Sequence, residues 1–184
     1  GGLLYFIDCK GLPPEAYEHD MKLWWPHNEI MIASSKAYRD TGDAYYLDWF
    51  FRTLDYCKEH GITFFAYMVL EQGALSGKYD TQHPFPEGSD RAKVYNPMLP
   101  QLEQLNAALR ETAERHNVSP AQIPVAWAIA KGTLPIIGVT QVSQVEDAAK
   151  AAAVELSAEE ITALEQLGDQ AGVNVIRYWE KEMK

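Results

Sequence analysis

The chain has 184 residues, 47% of them hydrophobic, and a formal net charge of −10. Length and apolar content suit a single globular domain over residues 1–184 with a packed core, while the acidic balance excludes a basic surface for nucleic acid or an anionic membrane. No apolar run approaches the ~20 residues that span a bilayer, and Cys9 and Cys57 form no disulfide framework, which points to a reducing, cytoplasmic setting.

The chain opens Gly1–Gly2, without methionine and without a charged-then-apolar leader, as a processed or truncated start would. Leu3–Ile7 is the first expected strand. Pro13–Pro14–Glu15 opens a helix through about Trp25, proline being tolerated in a first turn. Ile30–Ala33 reads as the second strand. A helix follows from about Ala44 to His60, with Gly61 at the left-handed position past its end. Ile62–Tyr67 is the third strand. A long loop over about 79–100, punctuated by proline and glycine, has a length that is usually functional or mobile. Leu102, Leu105, Leu109 and Ala113 share one helix face. Ser119–Pro120–Ala121–Gln122 starts the next helix, with serine as cap and glutamine three residues on; Pro124 is expected to bend its first turns. Leu134–Val139 is the fourth strand. Ser143–Gln144–Val145–Glu146 and Ser157–Ala158–Glu159–Glu160 read as capping boxes of two further helices. The last fades after Gly168, and the tail Arg177–Lys184 is charged and exposed.

Strand and helix alternate four times, which implies α/β architecture with parallel strands joined by right-handed crossovers. Four βα units are half of a (β/α)8 TIM-type barrel. Alone they leave two sheet edges open. Either a second copy closes the barrel, making a homo-oligomer with dimer symmetry, or the sheet stays open with its edges under the tail and the long loop.

Several motifs in order resemble the aldo-keto reductase family. They are Asp55–Tyr56–Cys57–Lys58–Glu59–His60–Gly61–Ile62, then Ala66–Tyr67 with Gly73–Ala74–Leu75–Ser76–Gly77–Lys78–Tyr79. After them come Ser119–Gln122 through Trp127, and Pro135–Ile136–Ile137–Gly138–Val139–Thr140 through Val145–Glu146–Asp147. The match is strong over about 54–168, where it resembles the family's seventh and eighth strands. Weaker but contiguous likeness before Leu54 sets Leu12–Tyr17 after the fifth strand and Ile32–Lys36 on the sixth. The whole then resembles the family's C-terminal half, strands five to eight. A competing alignment takes Lys36 as the family's catalytic lysine, before a large deletion.

The resemblance implies a ledge for NADP(H), weak or lost, formed by Tyr67, Met68, Leu70, Gly138, Val139, Thr140, Gln144 and Asp147. Tyr67 would stack on the nicotinamide; the plainer alternative is a tyrosine packed at a strand end. Gly138–Thr140 would meet the adenosine phosphate at a helix N-terminus, which favours anions; the alternative is an ordinary βα turn. Asp147 matches an acidic position near adenine. Where the family often has arginine and asparagine this chain has Gln144 and Ala148, and where it has a Ser-Asn pair this chain has Lys10–Gly11. The family's aspartate–tyrosine–lysine–histidine tetrad falls on strands two to four, which the contiguous alignment leaves out. Catalytic residues are therefore unassigned, and action on a small carbonyl substrate is expected to be reduced or absent. The alternative function is a non-catalytic half-barrel that binds itself or a partner through sheet edges and the aromatic helix around Tyr45, Tyr46, Trp49, Phe50 and Phe51. A remote third is Schiff-base chemistry at Lys36 or Lys10, with Tyr38 and Asp8 as helpers; solvated lysines are the simpler explanation. His19, His27, His60, His83 and His116 show no ligand spacing, so no metal site is expected.

Overall fold

A computed structural model of the chain describes Lys10, Leu12 and residues 24–173, with 24–26 by backbone alone. The expected strand Leu3–Ile7, the start of the first helix, Asp8, Cys9 and the charged tail lie outside the described residues. The contacts divide the chain into two compact units, Gly1–Phe64 and Phe65–Lys184.

The described part of the first unit is a pair of helices, α1 (Trp24–Thr41) and α2 (Ala44–Glu59), packed on each other. The strand expected at Ile30–Ala33 is the middle of α1. Its β-branched run suggested a strand, yet burial follows the helical period. His27 and Ser34 are buried, and Ile30, Met31 and Ala37 half-buried between and after them. The tight link to α2 turns at Gly42, whose φ is +69° and whose N–H donates to the Tyr38 carbonyl at 2.7 Å. Asp43 caps α2, its carboxylate accepting the Tyr45 N–H at 2.9 Å. The far end closes as expected. Gly61 has φ +62°, and the Ile62 N–H donates to the Cys57 carbonyl at 2.8 Å, the six-to-one bond of a Schellman end.

In the second unit β1 (Phe64–Tyr67) and β2 (Thr133–Ile136) form one two-stranded parallel sheet. Both strands are shorter than their apolar runs. Between them come α3 (Asp90–Tyr95), α4 (Leu99–His116) and α5 (Gln122–Ala130). After β2 come α6 (Val142–Lys150) and α7 (Ala158–Ala171). With only two strands among the described residues, α/β character is plain, whereas the four-strand sheet expected from the sequence is not present there.

Helix α4 is the spine of this unit. Leu99 and Leu102 pack in one apolar cluster with Ala74, Phe85, Ala92 and Tyr95. Leu109 and Ala113 pack in a second with Ile123 and Leu164. Each such large apolar side chain contributes roughly 1.5–3 kcal/mol on burial. The stretch expected as a long loop is pinned to the first cluster. Phe85 stacks on Tyr79 with centroids 3.8 Å apart, and the Asn96 amide bonds both backbone groups of Phe85, at 2.9 and 3.1 Å. Ser89 caps α3 by accepting the Ala92 N–H at 3.1 Å.

Two helix starts differ from expectation. Pro124 is the third residue of α5, where the N–H has no intrahelical partner to lose, so it sits in the first turn without penalty. The capping residue of α6 is Gln141, not Ser143. The box at Ser157 and Glu160 forms as expected, with bonds of 3.2 and 3.0 Å.

Candidate functional site

Because β1 and β2 are parallel neighbours, their C-terminal ends open to the same side. In parallel α/β folds that side carries the site. Tyr67 ends β1 and is 58% exposed. The chain then leaves the strand through an unusual turn. Met68, Glu71 and Gln72 have φ of +62°, +44° and +53°. Left-handed backbone at non-glycine residues costs of order 1–3 kcal/mol each and clusters at functional sites. The turn is held from outside: the Tyr95 hydroxyl donates to Glu71 Oε1 at 2.9 Å, and Arg91 donates to the Gln72 carbonyl at 3.2 Å. Leu70 is half-buried within it. Only Gly73 hinted at left-handed backbone in the sequence, since Met, Glu and Gln carry no turn chemistry of their own; Glu71 and Gln72 therefore escaped the sequence-based site.

On the β2 side, Gly138 faces open space and Val139 is 40% exposed. Gln144, in the first turn of α6, folds back over this loop. Its Oε1 accepts the Thr140 N–H at 2.8 Å, the Gln141 N–H at 3.2 Å and the Thr140 hydroxyl at 3.3 Å. Three donors thus converge on one oxygen at a helix N-terminus, the arrangement that holds a phosphate oxygen. Gly138, Val139, Thr140 and Gln144 are brought together here, with Tyr67 and Met68 on the adjacent strand end.

Asp147 stands apart from that cradle. Its carboxylate accepts the Ser119 hydroxyl at 2.6 Å, and its carbonyl accepts the Gln122 Nε2–H at 2.7 Å. Gln122 in turn accepts the Ser119 N–H at 2.8 Å. The serine expected to cap α5 spends its hydroxyl on α6 instead, which ties the start of α5 to the middle of α6.

The lysines do not meet the expected geometry. Lys36 is exposed on α1, not at a strand end, and Lys10 is exposed in a turn. The Lys36 alignment and its Schiff-base chemistry lose their structural basis with that strand. Burial pushes the Cys57 thiol up, away from reactivity. Among the described residues, no group of three His, Cys, Asp or Glu side chains could hold a metal ion, and no helix is long and apolar enough to cross a membrane.

Comparison with known proteins fits this geometry. The model of the aldo/keto reductase family matches residues 39–169. The chloroplastic pyridoxal reductase of Arabidopsis thaliana is 35% identical over 121 residues, which are 66% of this chain and 33% of that protein. The solved glycerol dehydrogenase of Gluconobacter oxydans superposes with a TM-score of 0.57 at 23% identity, over 71% of this chain and 41% of that one. The chain belongs to the aldo/keto reductase family, and it spans about a third of the length of the curated reductases it matches. A separate similarity is shorter and closer: the N-acylglucosamine 2-epimerase of Mus musculus is 50% identical over 56 residues, 30% of this chain and 13% of that protein.

Proposed function

We propose that the second unit is the cofactor-holding end of an aldo-keto reductase-like oxidoreductase, with little or no carbonyl-reducing activity of its own. The family generally uses NADP(H), which would supply hydride when bound. The observation that carries the reading is the cradle at the start of α6, two N–H groups and a hydroxyl aimed at one point beside Gly138. Thr140 and Gln141 would hold a phosphate there, displacing the Gln144 amide, and exposed Tyr67 would offer its ring face to the nicotinamide. Met68, Leu70 and Val139 would form the ledge between them. Because Gln144 already satisfies the donors, binding is weak: a ligand must match three existing hydrogen bonds before it gains. The test is a fluorescence titration with NADPH. Saturable binding at or below millimolar cofactor, weakened about tenfold by Tyr67→Ala, is expected; no binding at millimolar NADPH would sink the proposal.

A second reading concerns the first unit and rests on the epimerase similarity. The reductase relatives match about two thirds of the chain, and the epimerase matches 30% of it. Where the reductase alignment needed a sixth barrel strand, the chain forms the helix pair α1–α2. We place the epimerase kinship in this unit, with the two kinships meeting between residue 39 and the end of α2. The pair presents a stacked column in which Tyr56 lies between His27, centroids 5.8 Å apart, and His60, 4.1 Å apart. Tyr45 and Phe51 stand exposed on α2. The exposed rings of Tyr45 and Phe51 suit the apolar side of a sugar ring. Binding of an N-acylated hexosamine, without epimerisation, is the expectation. Amide shifts on adding N-acetylglucosamine should fall on α1 and α2; shifts confined to the second unit, or none, would remove this reading.

A further inference from the structure

Helix α6 carries the phosphate cradle at its start, yet it has little apolar anchorage of its own. Asp147 and Ala148 are half-buried and every other side chain of the helix is exposed, Val142 by 74% and Val145 by 51%. A surface helix ordinarily takes its direction from an apolar stripe. This one is held by polar bonds about one turn beyond the cradle. The Ser119 hydroxyl donates to Asp147 Oδ2 at 2.6 Å. Buried Gln122 donates from Nε2 to the Asp147 carbonyl at 2.7 Å, while its Oε1 accepts the Ser119 N–H at 2.8 Å. The next residue, Pro120, meets the loop that leaves β1. A Cβ at Gly77 would lie 2.5 Å from Pro120 Cβ, so that loop runs in direct contact with the start of α5.

We propose that Ser119 and Gln122 are positioning residues of the cofactor ledge: through Asp147 they fix how far, and in which direction, the cradle stands from Tyr67. The inference rests on the cofactor reading above and adds what sets the span of that site. The cradle itself is local, because Thr140, Gln141 and Gln144 bond among themselves within residues 140–144. Loosening Ser119 leaves those bonds intact and frees only the joint between the two ends of the ledge. A dinucleotide must reach the ring of Tyr67 at one end and the cradle at the other. It gains from both contacts only where the protein holds them at one separation before binding. A ligand that uses the cradle alone has no such requirement. The dipeptide Ser119–Pro120 touches both arms, the β1 loop at Gly77 and α6 at Asp147, which makes it the pivot of the span.

The test compares the full chain with Ser119→Ala and Ser119→Thr in two titrations. One follows NADPH by its fluorescence. The other follows adenosine 2′,5′-bisphosphate, the half of the cofactor that reaches only the cradle, by the amide shifts of Thr140 and Gln141. Ser119→Ala should weaken NADPH at least about fivefold and the half-cofactor less than about twofold. Ser119→Thr keeps the hydroxyl and should bind both ligands as the parent chain does. Circular dichroism should not change in either variant, because the Ser119 side chain is only half-buried and its N–H keeps the bond to Gln122. Should Ser119→Ala prove unstable, Gln122→Met keeps the bulk of the buried side chain, removes both of its polar bonds and carries the same expectation. A Ser119→Ala chain that binds NADPH as the parent does, one that loses both ligands equally, or a Ser119→Thr chain no better than Ser119→Ala would each overturn the proposal and leave the cofactor reading standing. Failure of the parent chain to bind NADPH removes the cofactor reading, and the proposal with it.

Discussion

Asn106 is 1% exposed on the buried side of α4, between the two apolar clusters, and neither its amide nitrogen nor its oxygen finds a partner among the described residues. An unpaired buried amide costs about 1–3 kcal/mol. Asn106→Leu keeps the volume and removes the polar atoms, so it should raise stability by about 1 kcal/mol or more, read as a higher midpoint in urea unfolding. Gly77 shows the opposite case. It has φ +74°, and a Cβ there would lie 2.5 Å from Pro120 Cβ. Gly77→Ala should cost about 2–3 kcal/mol through strain and overpacking together, measurable on the same curve. Glu160 gives a pH signature. Burial raises its proton affinity, but bonds from the Ser157 N–H, His116 and Arg115 outweigh that and hold the carboxyl below its ordinary value of 4.5. The folded carboxyl therefore releases its proton more readily than the unfolded one. Its stabilisation is full above pH 4.5 and is lost as pH falls through the lower folded value. Glu160→Gln should cost about 1 kcal/mol at pH 7 and nothing once both carboxyls are protonated. A pH series of thermal melts that stays parallel for both proteins down to acid would contradict this.

At the scale of elements, legibility tracked how local the determining chemistry was. Gly61 past α2 and the Ser157–Glu160 box were readable because each end is decided by a few adjacent residues. The stripe on α4 was readable from period alone, although the sequence named Leu105 and passed over Asn106 and Thr112, polar residues that the fold buries. The strand expected inside α1 failed because its helical stripe runs through His27 and Ser34, and an apolar-only pattern skips both. Non-local partners were invisible. Nothing near Ser119 announces that its hydroxyl belongs to Asp147 on α6, and nothing at Met68, Glu71 or Gln72 announces their backbone. The start of α6 carries its own prediction. Gln144→Arg keeps a side chain over the loop but replaces an acceptor with donors, freeing the Thr140 and Gln141 N–H groups. NADPH affinity should rise several-fold to tenfold, a gain of about 1 kcal/mol, in the same fluorescence titration.

For the whole molecule, the family was legible because its motifs follow one another in the right order, and residues 39–169 carry the match. The extent of the barrel was less legible. Contiguity suggested that residues before Leu54 continue the reductase; the family match does reach back to residue 39, while the strand expected at Ile30–Ala33 lies within helix α1. On the proposed reading, a cofactor-holding end without the family's acid–base strands, mixing the chain with NADPH and a small aldehyde should give oxidation of the cofactor no faster than buffer. Turnover above that background would require catalytic groups the resemblance does not place. The three left-handed residues after β1 bear on how far this loop can be exchanged. Met68, Glu71 and Gln72 sit where glycine would rest more easily. Substituting glycine at Gln72 should relax the backbone, while the same change at Glu71 also removes the tether to Tyr95. A generic turn grafted between β1 and α3 would therefore be calmer and less anchored, without the tethers that Tyr95 and Arg91 now supply.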